Sequence, residues 1–478
     1  MNRDLLRDLS ATLAAALLVV VAVLVGNGIQ HSDHSLFVRW PPVFAQWEPH
    51  VGPGTPAAIA LAVAVVAYGP VLAARLPWRA LLFSAWGTAL AWTFSLALVD
   101  GWQRGIAGRL TTPNEYLRVI SRFHDLPGTL RDFTHHIVAH SPAPWPAHIA
   151  GHPPAATVTF VLLDRIGLGG GGWAGVWCIT VGATAPVAVL VAVRALSGEA
   201  LARRAAPFLV LAPAAVWVGT SADGYFAAVA AWAVAFLALA VTGHRSGATG
   251  FVSGLLFGLT AYLSYGLTLF AVIAAAVLLL GSSRLRPLPY LLAGLAVIPA
   301  VFTLAGFNWW EAYRLLVTRY YEGVGGIRPY SYWVWANLAC TALIVGPATV
   351  AGLRRACAAP VRKGIRTCLR TPASEPRPAL RTPASEPRPA LRTPASEPRP
   401  ALRTPASEPR LALLVLAALL ALLIADLSGM SKAETERIWL PFAMWLLAAS
   451  AFLPRPRAWL TAQATLALLL NHLLLTGW

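Results

Sequence analysis

The chain has 478 residues, of which 57% are hydrophobic and only 12% charged, and its mean hydropathy is +0.62. Ordinary soluble domains carry about 25% charged residues, so a water-soluble protein is excluded at the outset. The net charge of +17 does not point to nucleic acid. Thirteen Lys/Arg against four Glu sit in residues 354–410, one segment between apolar stretches, as the positive-inside rule expects of a cytoplasmic loop. The composition predicts an all-α polytopic membrane protein.

A helix needs roughly 20 apolar residues to cross a bilayer. By that rule the predicted spans are 11–29, 57–75, 80–99, 153–168, 173–193, 205–219, 224–242, 287–304, 333–352, 411–427, 438–453 and 458–476. The opening MNRDLLRD and the apolar run behind it read as a signal anchor, because no convincing cleavage site follows. The stretch 249–281 is long for one helix and short for two; read as one, it brings the total to thirteen, with the N-terminus inside and the C-terminus outside. The alternative divides 249–281 and makes 153–168 a helix that does not cross. The charges leave both open, since Arg165 favours the first and Arg194, Arg203 and Arg204 the second.

Two outer loops are long, and loops beyond about 12–15 residues are usually functional or disordered. In the first, 100–152, residues 113–126 place Tyr116, Leu117, Ile120 and Phe123 on one face of a helix lying in the interface; residues 128–140 predict a second helix. The second, 305–332, is rich in aromatic residues. From Thr371 the undecapeptide TPASEPRPALR occurs three times and once more truncated, which predicts a proline-rich cytoplasmic linker. The division expected is two additional N-terminal spans (1–79), a central module (80–352), the basic linker (353–410) and C-terminal spans (411–478). Cys178, Cys340, Cys357 and Cys368 show no paired spacing, so neither a disulfide framework nor a zinc site is expected.

Three places carry candidate chemistry. Asp100 ends the span 80–99 at the outer rim, where a carboxylate is a candidate base. WPAHIAGHPP places His148 and His152 just ahead of the Pro-Pro that opens the next helix. Together with His135, His136 and His140 they are five of the six histidines in that loop, but there is no ligand pattern such as HExxH, so contact with phosphate or sugar is favoured over a metal. SGMSKAETERIWLPF puts Lys432, Glu434, Glu436 and Arg437 at a helix mouth, where a cationic pair suits a phosphate held near its lipid tail.

With these in register the chain resembles the GT-C superfamily of polyprenyl-phosphate-sugar-dependent membrane glycosyltransferases, of the actinobacterial mannosyl- and arabinofuranosyltransferase type. The matching features run from about 80 to 352: the span ending in Asp100, the loop with Asn114-Glu115-Tyr116, and His152-Pro153-Pro154; the segment Glu436–Phe442 also looks like the actinobacterial members. The chain departs from the family in its lone acid at Asp100 and its two additional spans. The resemblance implies Asp100 as general base in an inverting transfer, and His148, His152, Lys432 and Arg437 as ligands of the donor phosphate, with Arg314, Arg319 and Arg328 in reserve. It implies sugar contacts from Glu115, Tyr116, Trp309, Trp310, Tyr320, Tyr321, Tyr330 and Glu436. No metal or other cofactor is expected. The partners implied are a polyprenyl-phosphate sugar donor, a glycan or glycolipid acceptor and membrane lipids, at the outer face of the plasma membrane. A transporter of a lipid-linked glycan and a catalytically silent scaffold are the alternatives.

Overall fold

The computed structural model describes residues 3–363 and 407–477; the three full TPASEPRPALR repeats and Cys368 lie outside the described residues. Among the described residues eight helices are long and apolar enough to cross a membrane, or nine if the bent pair Leu288–Leu304 and Trp309–Glu322 counts as one. This is an all-α multi-pass architecture. The thirteen spans expected are not reached by these measures, because several predicted stretches are broken or short. Residues 205–219 divide into the helices Glu199–Val210 and Ala215–Val218, and 438–453 into Leu440–Leu446 and a tighter turn, Leu447–Phe452.

The stretch 249–281 is two helices, Ser246–Leu263 and Phe270–Leu280, separated at Ser264, whose backbone is extended (φ −155°, ψ 136°). The predicted span 153–168 is the helix Ala155–Arg165. Its eleven residues reach only about 16 Å, and its Arg165 guanidinium donates back to Phe123 O and His124 O of the first outer loop. Both of its ends therefore lie on the loop side. On these two points the structure follows the alternative reading of the sequence.

Contacts between distant segments define two ends of the bundle. At the basic end Arg203 donates to Ala73 O and Leu76 O, Arg204 to Leu453 O, and Arg410 to Leu280 O. Buried Asp8 joins Arg354 (2.6 Å) and Arg355 (2.5 Å) there, so the first helix, Arg3–Ser32, starts beside the basic segment. The rest of that helix is largely exposed and packs mainly on Tyr330–Lys363. Gly26 lets the two approach, since a Cβ there would stand 2.3 Å from the Tyr332 hydroxyl. Asp8→Ala is therefore expected to lower stability by about 3 kcal/mol, because it leaves two guanidinium groups facing each other without their anion. A thermal melt of the purified protein checks this.

The opposite end carries the long loops. Ala45–Trp47 pairs antiparallel with Leu474–Thr476, bringing the C-terminal helix Pro456–Leu473 back to the chain's beginning. Residues 116–123 form a 3₁₀ helix burying Tyr116, Val119 and Phe123. The predicted face of Tyr116, Leu117, Ile120 and Phe123 does pack on the core, with Leu117 and Ile120 half-buried, and Val119, which stacks under Tyr116 at i+3, is buried as well. Leu126–Asp132 and a turn at Phe133–His136 follow, close to the second helix expected. The second loop forms Trp309–Glu322, bent 76° from the helix before it. Arg319 clamps it onto the first loop by donating to Ile137 O and Trp145 O.

Candidate active site

Asp100 stands just beyond the helix Trp78–Ala97 with its side chain 14% exposed. Arg109 donates to its Oδ2 at 2.7 Å and also to Thr476 O, tying the acid to the C-terminal strand. His50 Nε2 lies 2.7 Å from Oδ1, and Arg104 lies 3.7 Å from the same oxygen while pairing with Glu48 at 2.9 Å. The other ring nitrogen of His50 meets Glu48 O at 2.6 Å. A backbone carbonyl only accepts, so Nδ1 donates to it and Nε2 is the ring nitrogen turned to Asp100. Glycine makes this approach possible, because a Cβ on Gly52 would sit 1.9 Å from Val99 O.

The other candidates gather in a second, more buried cluster. Glu115 Oε1 is 2.8 Å from His148 Nδ1. Burial alone would raise Glu115, but His148, with Arg437 and His152 further off, holds it below the ordinary carboxylate value. Arg437 donates to Asp223 at 2.5 Å and to Glu434 at 3.2 Å. Burial opposes its charge, yet Asp223, Glu434 and Glu115 outweigh burial and raise it. Arg328 lies 3.6 Å from Glu434 and donates to Lys432 O and Leu36 O. Glu434 stays below its usual value because Arg437 and Arg328 exceed the cost of burying it.

The structure thus brings Glu115, Tyr116, His148, His152 and Arg437 together. Tyr116 is fully buried, stacked on Phe160 and edge-on to His152, and its hydroxyl has no partner among the described residues. Lys432 donates from Nζ to Gly325 O and from its backbone to the Tyr320 hydroxyl, with Nζ 5.7 Å from the Tyr321 ring centre. Glu436 is fully enclosed, accepting from Phe44 N and Cys340 Sγ, so it braces the fold instead of facing a sugar. Trp309 stacks on Tyr313 and donates to Ala261 O, whereas Trp310 and Tyr321 are exposed. His135 and His136 both turn to Asp132, away from His148. Among the described residues no bond or ion pair joins Asp100 to this second cluster.

His152 donates from Nδ1 to His148 O at 2.7 Å and packs between Tyr116 and Phe226. Burial pushes it down to about 4, against the pull of Asp223. It is neutral near pH 7 and would meet a phosphate without positive charge. Its folded value lies below its ordinary one, so its stabilisation is complete above about pH 6.5 and is lost as pH falls toward 4. The loss amounts to about 3 kcal/mol at most. Thermal melts at several pH values are expected to show this slope between pH 6.5 and 5, where Glu115 and Glu434 do not titrate, and to lose it in His152→Gln.

Sequence reading missed His50, Arg109 and Asp223. Asp223 had a legible signal, a lone carboxylate at the mouth of an apolar span, in the first turn of Ala222–Val241 behind the capping residue Ser221. His50 and Arg109 had none, since only the folded chain sets them beside Asp100.

No family model matches this chain, and no curated protein matches it. Among solved structures it is similar to the oligosaccharyltransferase of Archaeoglobus fulgidus in the apo form, at 13% identity and a TM-score of 0.45, over 77% of this chain and 50% of that one. The same enzyme's complex with Zn and sulfate gives 16% identity and a TM-score of 0.45, over 78% and 48%. The chain spans about half the length of the solved structures it matches.

Proposed function

We propose that the chain is an integral membrane glycosyltransferase of the GT-C type. In this reading it transfers a sugar from a polyprenyl-phosphate donor to a glycan or glycolipid at the outer face of the plasma membrane. The observation that carries the reading is the Asp100–His50 pair: a rim carboxylate 2.7 Å from an imidazole supplied by a segment far off in the sequence. In the proposed step Asp100 takes the proton of the acceptor hydroxyl as that oxygen attacks the anomeric carbon. The bond to the lipid phosphate breaks on the opposite face, and the configuration inverts. His50 acts through Asp100 by orienting it.

A leaving phosphate gains negative charge and needs a cation placed for it. Arg104, 44% exposed and beside Asp100, can turn to it without stranding a buried acid, which Arg437 cannot. Mannosyl and arabinofuranosyl donors are the first substrates to test. The silent-scaffold reading draws on one specific observation, that both oxygens of Asp100 are already engaged. Proteoliposomes holding the purified chain, a radiolabelled polyprenyl-phosphate sugar and a panel of acceptors separate the readings. Glycosidically linked label released with an equal amount of polyprenyl phosphate supports the transferase. Label that crosses the bilayer unlinked identifies a transporter, and neither result identifies a scaffold.

A further inference from the structure

At the basic end, the end of the Thr55–Arg75 helix and the start of the Pro456–Leu473 helix line an open cavity of about 630 Å³ on the surface. Three of its lining side chains, Arg75, Arg455 and Arg457, are guanidinium groups. The opposite wall is apolar, formed by Pro70, Val71 and Ala74. Its surroundings are firmly held. Arg203 ties Leu76, next to Arg75, to the helix Glu199–Val210, and Arg204 ties Leu453 to the same helix. Arg203 also pairs with Glu199 at 2.6 Å. The three arginines of the cavity differ: among the described residues none of them has an ion-pair or side-chain hydrogen-bond partner.

All three arginines are exposed, so solvent screens their mutual repulsion; what they offer an anion is the planar fork, which matches phosphate geometry. Arg455 is also held at φ 54°, a left-handed conformation that costs a residue other than glycine and that accumulates at ligand clamps. On its outer side the cavity continues into the exposed apolar face of the Thr55–Arg75 helix, with Tyr68 and Leu72 uncovered. A ligand seated here meets cations at one end and a membrane-facing apolar surface at the other.

We propose that this cavity binds the phosphate-bearing headgroup of an anionic phospholipid, with the acyl chains along the Thr55–Arg75 helix. The site is separate from the Asp100 region, and the proposal does not depend on the transferase reading. Charge complementarity and the amphipathic lining select a phospholipid over a soluble anion.

The test uses the purified full chain, with lipid retention measured by native mass spectrometry during titration with phosphatidylglycerol, phosphatidylcholine and inorganic phosphate. Phosphatidylglycerol is expected to be retained in preference to phosphatidylcholine. Arg455→Gln/Arg457→Gln is expected to weaken its binding about thirtyfold, from the usual contribution of each arginine at a membrane surface. Arg245→Gln/Arg286→Gln, which removes the same charge at the same end outside the cavity, is expected to change it less than threefold, roughly the spread of a single weak surface contact. Ala74→Trp, which fills the cavity and leaves every charge in place, is expected to displace the lipid. Equal loss in the two double variants, an undiminished affinity in Ala74→Trp, or displacement of phosphatidylglycerol by millimolar inorganic phosphate would overturn the proposal.

Discussion

Asp100→Asn is expected to lower sugar transfer by about 10²–10⁴-fold, the usual contribution of a positioned general base. The substitution keeps the shape of the side chain and removes its capacity to hold a proton. It also leaves Arg109, whose side chain is 11% exposed, facing a neutral amide, so a thermal melt must accompany the assay. A loss of rate in a protein that still melts as a single cooperative unit marks chemistry; a loss together with melting marks scaffolding. His50→Gln adds a second readout. Glutamine can donate one hydrogen bond to Asp100 and so keep it partly oriented. Transfer should therefore fall less than in Asp100→Asn while acceptor KM stays near its original value. Near-normal turnover in Asp100→Asn would remove Asp100 from the mechanism and leave the choice of enzyme, transporter or scaffold to the proteoliposome assay.

Arg437→Met should cost more stability than any other single change at the loop end. Arg437 joins Asp223 from one helix mouth and Glu434 from its own segment, and its charge also bears on Glu115. Removing one partner of a buried ion pair typically costs about 3–5 kcal/mol, because the remaining charge stays desolvated. Here two carboxylates lose their principal counter-charge, so the upper part of that range applies. The double variant Arg437→Met/Asp223→Asn should recover part of the loss, since the methionine then faces a neutral amide. Thermal unfolding of the wild type, both single variants and the double variant gives the coupling directly. Additive single effects would show that the pair does not hold the two segments together.

Both predictions concern residues whose types were visible in the sequence and whose partners were not. Asp100, His148, His152 and Arg437 stood out because charged or titratable groups beside long apolar runs are costly and rarely incidental. The sequence did not show that Asp100 would meet His50 and Arg109 while Arg437 met Asp223. Those pairings join positions separated by up to 214 residues, and no local periodicity encodes such a distance. Glu436 illustrates the same limit. Next to Arg437 in the chain, it turns to Phe44 N and Cys340 within the fold, because successive residues of a short helical turn point in different directions.

Hydropathy alone determined that this is a helical membrane protein, because every peptide group in a bilayer must bond within its own segment. It also marked the two long loops, 100–152 and 305–332, as candidates for chemistry. Tertiary structure decided which apolar stretches run through and which break. Ser264 divides one, and the bonds of Arg165 fold another back to the side it came from. It also decided that Ala45–Trp47 pairs with Leu474–Thr476, setting His50 and Thr476 around Asp100. Helix formation follows from nearby residues and can be read in order along the chain. The pairing of buried charges depends on which segments become neighbours after all the helices have packed.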